Sequence, residues 1–124
     1  MSVSIYYTAR RPCELSKAEQ TRIERVIDSY SVKDQIDEYH RTGVGWNGQD
    51  FCLYAPPFDS LDVVIDGATK LPDSAEEVFW DAVQHWCQAL SDIRHLLPDA
   101  VWHVHVDDHE IQWDEGRQEF DPSM

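Results

Sequence analysis

The sequence predicts an α+β fold of the ferredoxin-like (split β-α-β) kind, with two main helices on one face of a four- to five-stranded, mostly antiparallel sheet. Three observations carry this. Apolar residues alternate along several short stretches, they recur at helical spacing along two long ones, and the stretches follow one another as strand, helix, strand, strand, helix, strand. A chain of 124 residues has room for one core. Residues 1–113 are therefore expected to form a single domain, and 114–124 an acidic, flexible tail anchored at most by Phe120.

The first strand is Val3–Ala9, in which Val3, Ile5 and Tyr7 alternate with Ser4, Tyr6 and Thr8 until Arg10-Arg11-Pro12 ends it. Ser16 and Glu19 have the spacing of a capping box, and Ile23, Val26, Ile27 and Tyr30 follow at helical intervals, which places a helix over 17–30. Val32, Ile36 and Tyr39 keep the helical period but slip phase against that stripe, so a second short helix capped by Ser31 is expected.

Gly43–Gly48 spells G-x-G-x-x-G, but a dinucleotide-binding turn needs a strand before it and a helix after it. Here the order is reversed. The stretch reads instead as a flexible turn that exposes Trp46, with Asn47-Gly48 as a tight reversal. Asp50–Tyr54 is the next expected strand, Ala55-Pro56-Pro57 breaks it, and Leu61–Asp66 is its neighbour, ended by Gly67.

Pro72, Asp73 and Ser74 open the second main helix, with Ser74 and Glu77 as another capping box. Val78, Ala82, Trp86, Ala89, Ile93 and Leu97 form its buried stripe. Asp81, His85, Gln88, Asp92 and His95 line the opposite side, where the two histidines read as solvated partners of acidic neighbours. Pro98 stops the helix.

The last strand lies in Ala100–Trp113. Trp102, Val104 and Val106 share one side, and Val101, His103, His105 and Asp107 the other. Asp107-Asp108-His109 then turns the chain toward a short strand carrying Ile111 and Trp113. With the apolar alternates under the helices, Ser4, Tyr6 and Thr8 share an open sheet face with His103, His105 and Tyr54. Two imidazoles on alternate residues lie about 7 Å apart at Cα, a spacing that fits one metal ion. Asp107 is a third candidate ligand, and His109 or Glu110 could join from the turn; zinc or another divalent ion suits that donor set.

Composition narrows the function classes. The formal charge is −14, and it is uneven: residues 1–41 hold seven basic and seven acidic side chains, whereas 42–124 hold three and seventeen. Such a field attracts cationic partners and repels nucleic acid, and neither helix has the basic face of a membrane-surface helix. Cys13, Cys52 and Cys87 are odd in number and lack Cys-x-x-Cys spacing, so they read as free thiols. Cys52 and Cys87 are expected in the core, and Cys13, near Arg10 and Arg11, is the one whose thiolate is favoured. Met1–Thr8 has no leader-like apolar middle and no run reaches membrane-spanning length, so the expected address is the cytoplasm.

Three functions fit. The first is a small acidic binding protein, not an enzyme, that holds a basic protein partner. Its contact would be made by Trp46, Asp107, Asp108, Glu110, Trp113, Asp114 and Glu115. In charge and size, though in no motif, it resembles the acidic immunity proteins that inhibit bacterial toxins and nucleases. The second is a metal-assisted hydrolase centred on His103, His105 and Asp107, in which the ion activates a water. The third is a domain without chemistry whose open sheet face is closed by a second copy, as in a homodimer.

Overall fold

Period-two alternation gives the first strand one buried and one wetter face. In the computed structural model, which describes residues 3–56, 58 and 60–123, β1 (Ser4–Arg10) buries Ile5, Tyr7 and Ala9 and turns Ser4, Tyr6, Thr8 and Arg10 the other way. It is flanked by β2 (Val63–Lys70) and β3 (Val101–Val106), and β4 (His109–Glu110) pairs with the end of β3. All neighbours are antiparallel, in the order β2-β1-β3-β4. The helices α1 (Lys17–Ser29), α2 (Lys33–Thr42) and α3 (Glu76–Leu96) supply the other side of a single core in which Ile23, Val32 and Trp86 join the buried residues of β1.

The stripe expected on α3 is the one observed: Ala82, Trp86, Ala89, Ile93 and Leu97 are buried, with Val78 half-buried at the first turn. The capping box of α1 is also formed, Glu19 N–H donating to the Ser16 hydroxyl at 3.1 Å and Ser16 N–H to the Glu19 carboxylate at 2.8 Å. The same carboxylate receives both terminal nitrogens of Arg11, at 2.5 and 2.8 Å. Arg11 is only 6% exposed, and it also donates to the carbonyls of Cys13 and Glu14. Its guanidinium thereby ties the end of β1 to the start of α1.

The other two caps differ from expectation, and both differences come from distant side chains. At α2 the N-cap is Val32 rather than Ser31. Asp50 reaches across to accept the Val32 N–H at 3.1 Å and the Ser31 hydroxyl at 2.6 Å. At α3 the N-cap is Ala75, without a side-chain cap. Ser74 is held elsewhere, its hydroxyl on the Gly45 carbonyl and its N–H on the Asn47 side chain at 3.1 Å. Asn47 also accepts the Asp73 N–H at 2.8 Å, so the glycine-rich turn is fastened to the approach to α3. The turn is led by Gly43, whose φ of 75° lets it cap α2 in the left-handed conformation.

The strand expected at Asp50–Tyr54 is not formed. Gln49 N–H donates to Lys70 O at 2.9 Å and Tyr54 N–H to Asp66 O at 2.8 Å, so the segment runs antiparallel beside β2. Between those two bonds the chain is drawn to the buried Tyr7 hydroxyl, which donates to Cys52 O at 2.5 Å and accepts from Cys52 N–H at 3.3 Å. Gly67 does not end β2, as expected, but sits inside it. A Cβ there would lie 2.5 Å from a Tyr7 ring carbon and would overlap the Cys52 carbonyl oxygen. The α+β class is therefore as the sequence predicts, with an irregular segment beside β2 where a further strand was expected. Of the break after Tyr54, Pro57 lies outside the described residues.

The C-terminal segment also departs from expectation. Within 114–123 it carries regular structure: β5 (Gln112–Asp114) pairs with β6 (Glu119–Asp121) as a separate hairpin, and Phe120 is buried. The Ser91 hydroxyl fixes it to α3, accepting the Phe120 N–H at 2.8 Å while donating to Cys87 O at 2.6 Å. Trp113 belongs to this hairpin rather than to a partner strand of β3, because the chain leaves β3 at Ile111, which is buried. Among the described residues no helix is long and apolar enough to cross a membrane.

Two outcomes test this frame. Replacing the fully buried Trp86 with Ala should lower the unfolding free energy by about 3–5 kcal/mol, read from denaturant titration. The hydrogen bonds from Arg11 hold the Glu19 carboxyl down to about 2, against an ordinary 4.5. A depressed folded pKa gives stability that is present above the ordinary value and is lost as pH falls through it toward the folded one. Glu19→Gln should therefore be less stable than wild type at neutral pH, with the difference vanishing on titration down to about pH 2.

Candidate functional site

The register of β1 against β3 sets the open face. Tyr6 lies opposite His105 and Thr8 opposite His103, so the wetter alternates of both strands meet, as the alternation requires. The Tyr6 ring stacks on His105 with centroids 4.9 Å apart and planes 13° apart, and His105 in turn lies 5.0 Å from His103. Tyr6 is 41% exposed, His103 is exposed, and His105 is half-covered between them. The result is a row of three rings open to solvent.

Carboxylates border that row. Glu110 pairs opposite His105, and its Oε1 is 3.7 Å from His103 Nε2. On the β2 side Asp66 accepts a 3.4 Å hydrogen bond from the Thr8 hydroxyl. Beyond His105 the chain reverses through Asp107 and Asp108, both exposed, with Asp107 at φ 47°, a left-handed conformation that Asp tolerates better than most residues. The Asp107 carbonyl accepts from His105 Nδ1–H at 2.9 Å, which fixes that imidazole's tautomer and orientation.

His103, His105 and Asp107 do not make the metal site expected of them. Among the described residues no group of three His, Cys, Asp or Glu side chains is gathered so that it could hold an ion. His105 Nδ1 bonds the backbone carbonyl of Asp107 rather than its carboxylate, and His103 faces Glu110. Nor, among the described residues, is a nucleophile hydrogen-bonded to either imidazole: the Thr8 hydroxyl is turned to Asp66 and Ser4 lies opposite Lys70. A flat, partly aromatic face with carboxylates at its rim suits the binding of a cationic group by stacking and charge.

The aromatic anchors expected from the sequence are used internally. Trp46 is half-buried, edge-on to Trp86 at 6.0 Å and to His85 at 5.7 Å, because its turn is fastened to the approach to α3. Trp113 is also half-buried, beneath the Arg94 guanidinium at 4.1 Å and against Phe120 at 5.0 Å. Asp114 is occupied in forming the β5–β6 turn, accepting the N–H groups of Gly116 and Arg117 at 2.9 and 3.1 Å. Asp107, Asp108, Glu110 and Glu115 are exposed, but Glu115 lies on the second hairpin.

Of the histidines of α3, His95 is exposed as expected, but a ring nitrogen of each bonds a backbone carbonyl rather than an acidic neighbour. His85 is half-buried and donates from Nε2 to the Tyr30 carbonyl at 2.6 Å, because the end of α1 covers this part of α3; His95 donates to the Gln118 carbonyl at 2.9 Å. Cys87 is buried, which pushes its thiol up to about 12, whereas Cys52 is exposed rather than in the core, and Cys13 is exposed. Tyr54 lies past the edge of β2, in a groove with Leu53 and Leu61, and does not join the imidazole row.

Asp66 is the site residue that sequence reasoning passes over. It falls in a stretch ending at an apparent strand-breaking glycine, and only the docking of Tyr7 on Gly67 reveals that β2 continues and sets Asp66 opposite Thr8. The stacked geometry has a direct readout. Tyr6→Leu should move the His105 ring-proton resonances downfield as the overlying ring is lost, with amide resonances of α3 unchanged, in proton NMR spectra. Unmoved His105 resonances would show that the rings do not stack in solution. Compared with protein-family models, curated proteins and solved structures, the chain has no match.

Proposed function

We propose that this is an acidic binding protein that holds a basic protein partner on its open sheet face, in the manner of an inhibitor of a cationic toxin or nuclease. The observation that carries the reading is a juxtaposition: the solvent-open row Tyr6, His105, His103 runs into the exposed acidic turn Asp107, Asp108, Glu110. Its setting is the charge excess of residues 42–124, seventeen acidic side chains against three basic. In this reading the carboxylates draw the partner in and the rings supply the packed contact. The scaffold is a variant of the ferredoxin-like sandwich whose edge strand has become irregular. Stacked rings bordered by Asp66 and Glu110 favour an arginine-rich contact, since a guanidinium is planar and weakly hydrated.

The test separates charge from packing. With a basic partner in hand, association should slow steeply as salt rises, because screening cuts the reach of the field to about 8 Å at physiological ionic strength. Neutralising Asp107, Asp108 and Glu110 together should lower the on-rate, and Tyr6→Ala should act chiefly on the off-rate. A partner that is itself acidic, or an on-rate indifferent to salt and to the three neutralised carboxylates, would sink the reading.

A further inference from the structure

The helical side of the molecule carries a second feature that the open sheet face does not involve. Where α2 ends and α3 begins, the chain leaves a cleft of about 430 Å³ lined by Asp34, Gln35 and Glu38 of α2, Val44, Gly45 and Trp46 of the turn, and Val78 and Asp81 of α3. Its wall is made by Val44, which is 72% exposed, with the half-buried Trp46 and Val78. The three ionisable residues that line it are all acidic. Glu38 is already paired with Arg41, but no hydrogen bond or ion pair engages the Asp34 or Asp81 side chains among the described residues.

The placement has a cause in the sequence. Asp34 and Glu38 are four apart on α2 and so project from one face, while Val78 and Asp81 are three apart on α3. The turn between them is held in place by Asn47 and Ser74, so Trp46 is fixed from behind by Trp86 and His85. An open apolar cleft between carboxylates matches one kind of side chain, a long aliphatic stem ending in a cation.

We propose that this cleft binds an arginine side chain of a basic peptide segment, the stem lying along Val44, Val78 and Trp46 and the guanidinium between Asp34 and Asp81. The volume is at the lower end of what ligand sites use and fits one or two side chains, not a folded element. Arginine suits it better than lysine, because its weakly hydrated planar head keeps favourable contact with an aromatic ring while bonding carboxylates. The inference stands apart from the open-face reading. The two surfaces are built from different elements, and either could fail alone.

The experiment uses the whole protein and a capped arginine-leucine-arginine tripeptide, with the citrulline version as its neutral isostere. Methyl and indole NMR should show saturable shifts confined to Val44, Val78 and Trp46, with affinity for the citrulline peptide weaker by about tenfold or more. Asp34→Asn combined with Asp81→Asn should weaken arginine-peptide binding by about tenfold, whereas a charge-matched pair on α1, Glu24→Gln with Asp28→Asn, should change it by less than about twofold. Equal losses from the two pairs, or shifts scattered over the surface, would reduce the effect to overall charge and overturn the proposal. Citrulline binding as well as arginine would overturn it in favour of a purely apolar groove. Shifts of the same three residues with protein concentration alone would overturn it in favour of a second copy as the occupant.

Discussion

The arrangement depends most on the side chain of Tyr7. It stands fully buried in the central strand, and its ring lies over Gly67 of the neighbouring strand, stacked 4.6 Å from Phe51. Its hydroxyl is shared between the Cys52 backbone and the Thr69 hydroxyl, the latter at 2.8 Å. A phenol so enclosed is pushed far above its ordinary pKa by desolvation, so it stays a neutral hydrogen-bonding group. One residue thus fixes which part of β2 faces the core and where the irregular segment crosses its edge. It also fixes the register that sets Asp66 beside Thr8 on the open face.

Much of this was legible from residue order and much was not, and the division follows the range of the interactions. Local patterns held: alternation in Val3–Ala9 and Val101–Val106, the Ser16–Glu19 box, and the stripe from Ala82 to Leu97. What was hidden came from partners far along the chain. Asp50 takes over the capping of α2 from eighteen residues away, and Asn47 binds the backbone ahead of α3 from twenty-six. A composition-based reading of 114–124 as a polar tail could not anticipate that Ser91, in the middle of a helix, offers its hydroxyl to Phe120 N–H.

The site follows the same division. That Tyr6, Thr8, His103 and His105 share a face follows from period two, which is readable in the sequence, once the fold sets β1 beside β3, which is not. That His105 is oriented by a backbone carbonyl, and that both expected tryptophan anchors are spent on internal packing, required the turns to be placed. The surviving exposed features are a ring row with an acidic border on one side and an acidic cleft on the other, and both favour cations.

The irregular segment beside β2 has a consequence for behaviour at high concentration. A regular strand there would itself have ended the sheet with a row of unpaired amides and carbonyls, a template on which another chain can polymerise. With Gln49 and Tyr54 bonded to β2 and the chain between them bent inward to Tyr7, that flank offers no straight ladder to copy. On the opposite flank β4 covers only the last two residues of β3 before the chain turns away. Combined with a net charge of −14, which keeps molecules apart, the irregular segment removes one of the two edges on which a chain rich in aromatics could stack copies of itself.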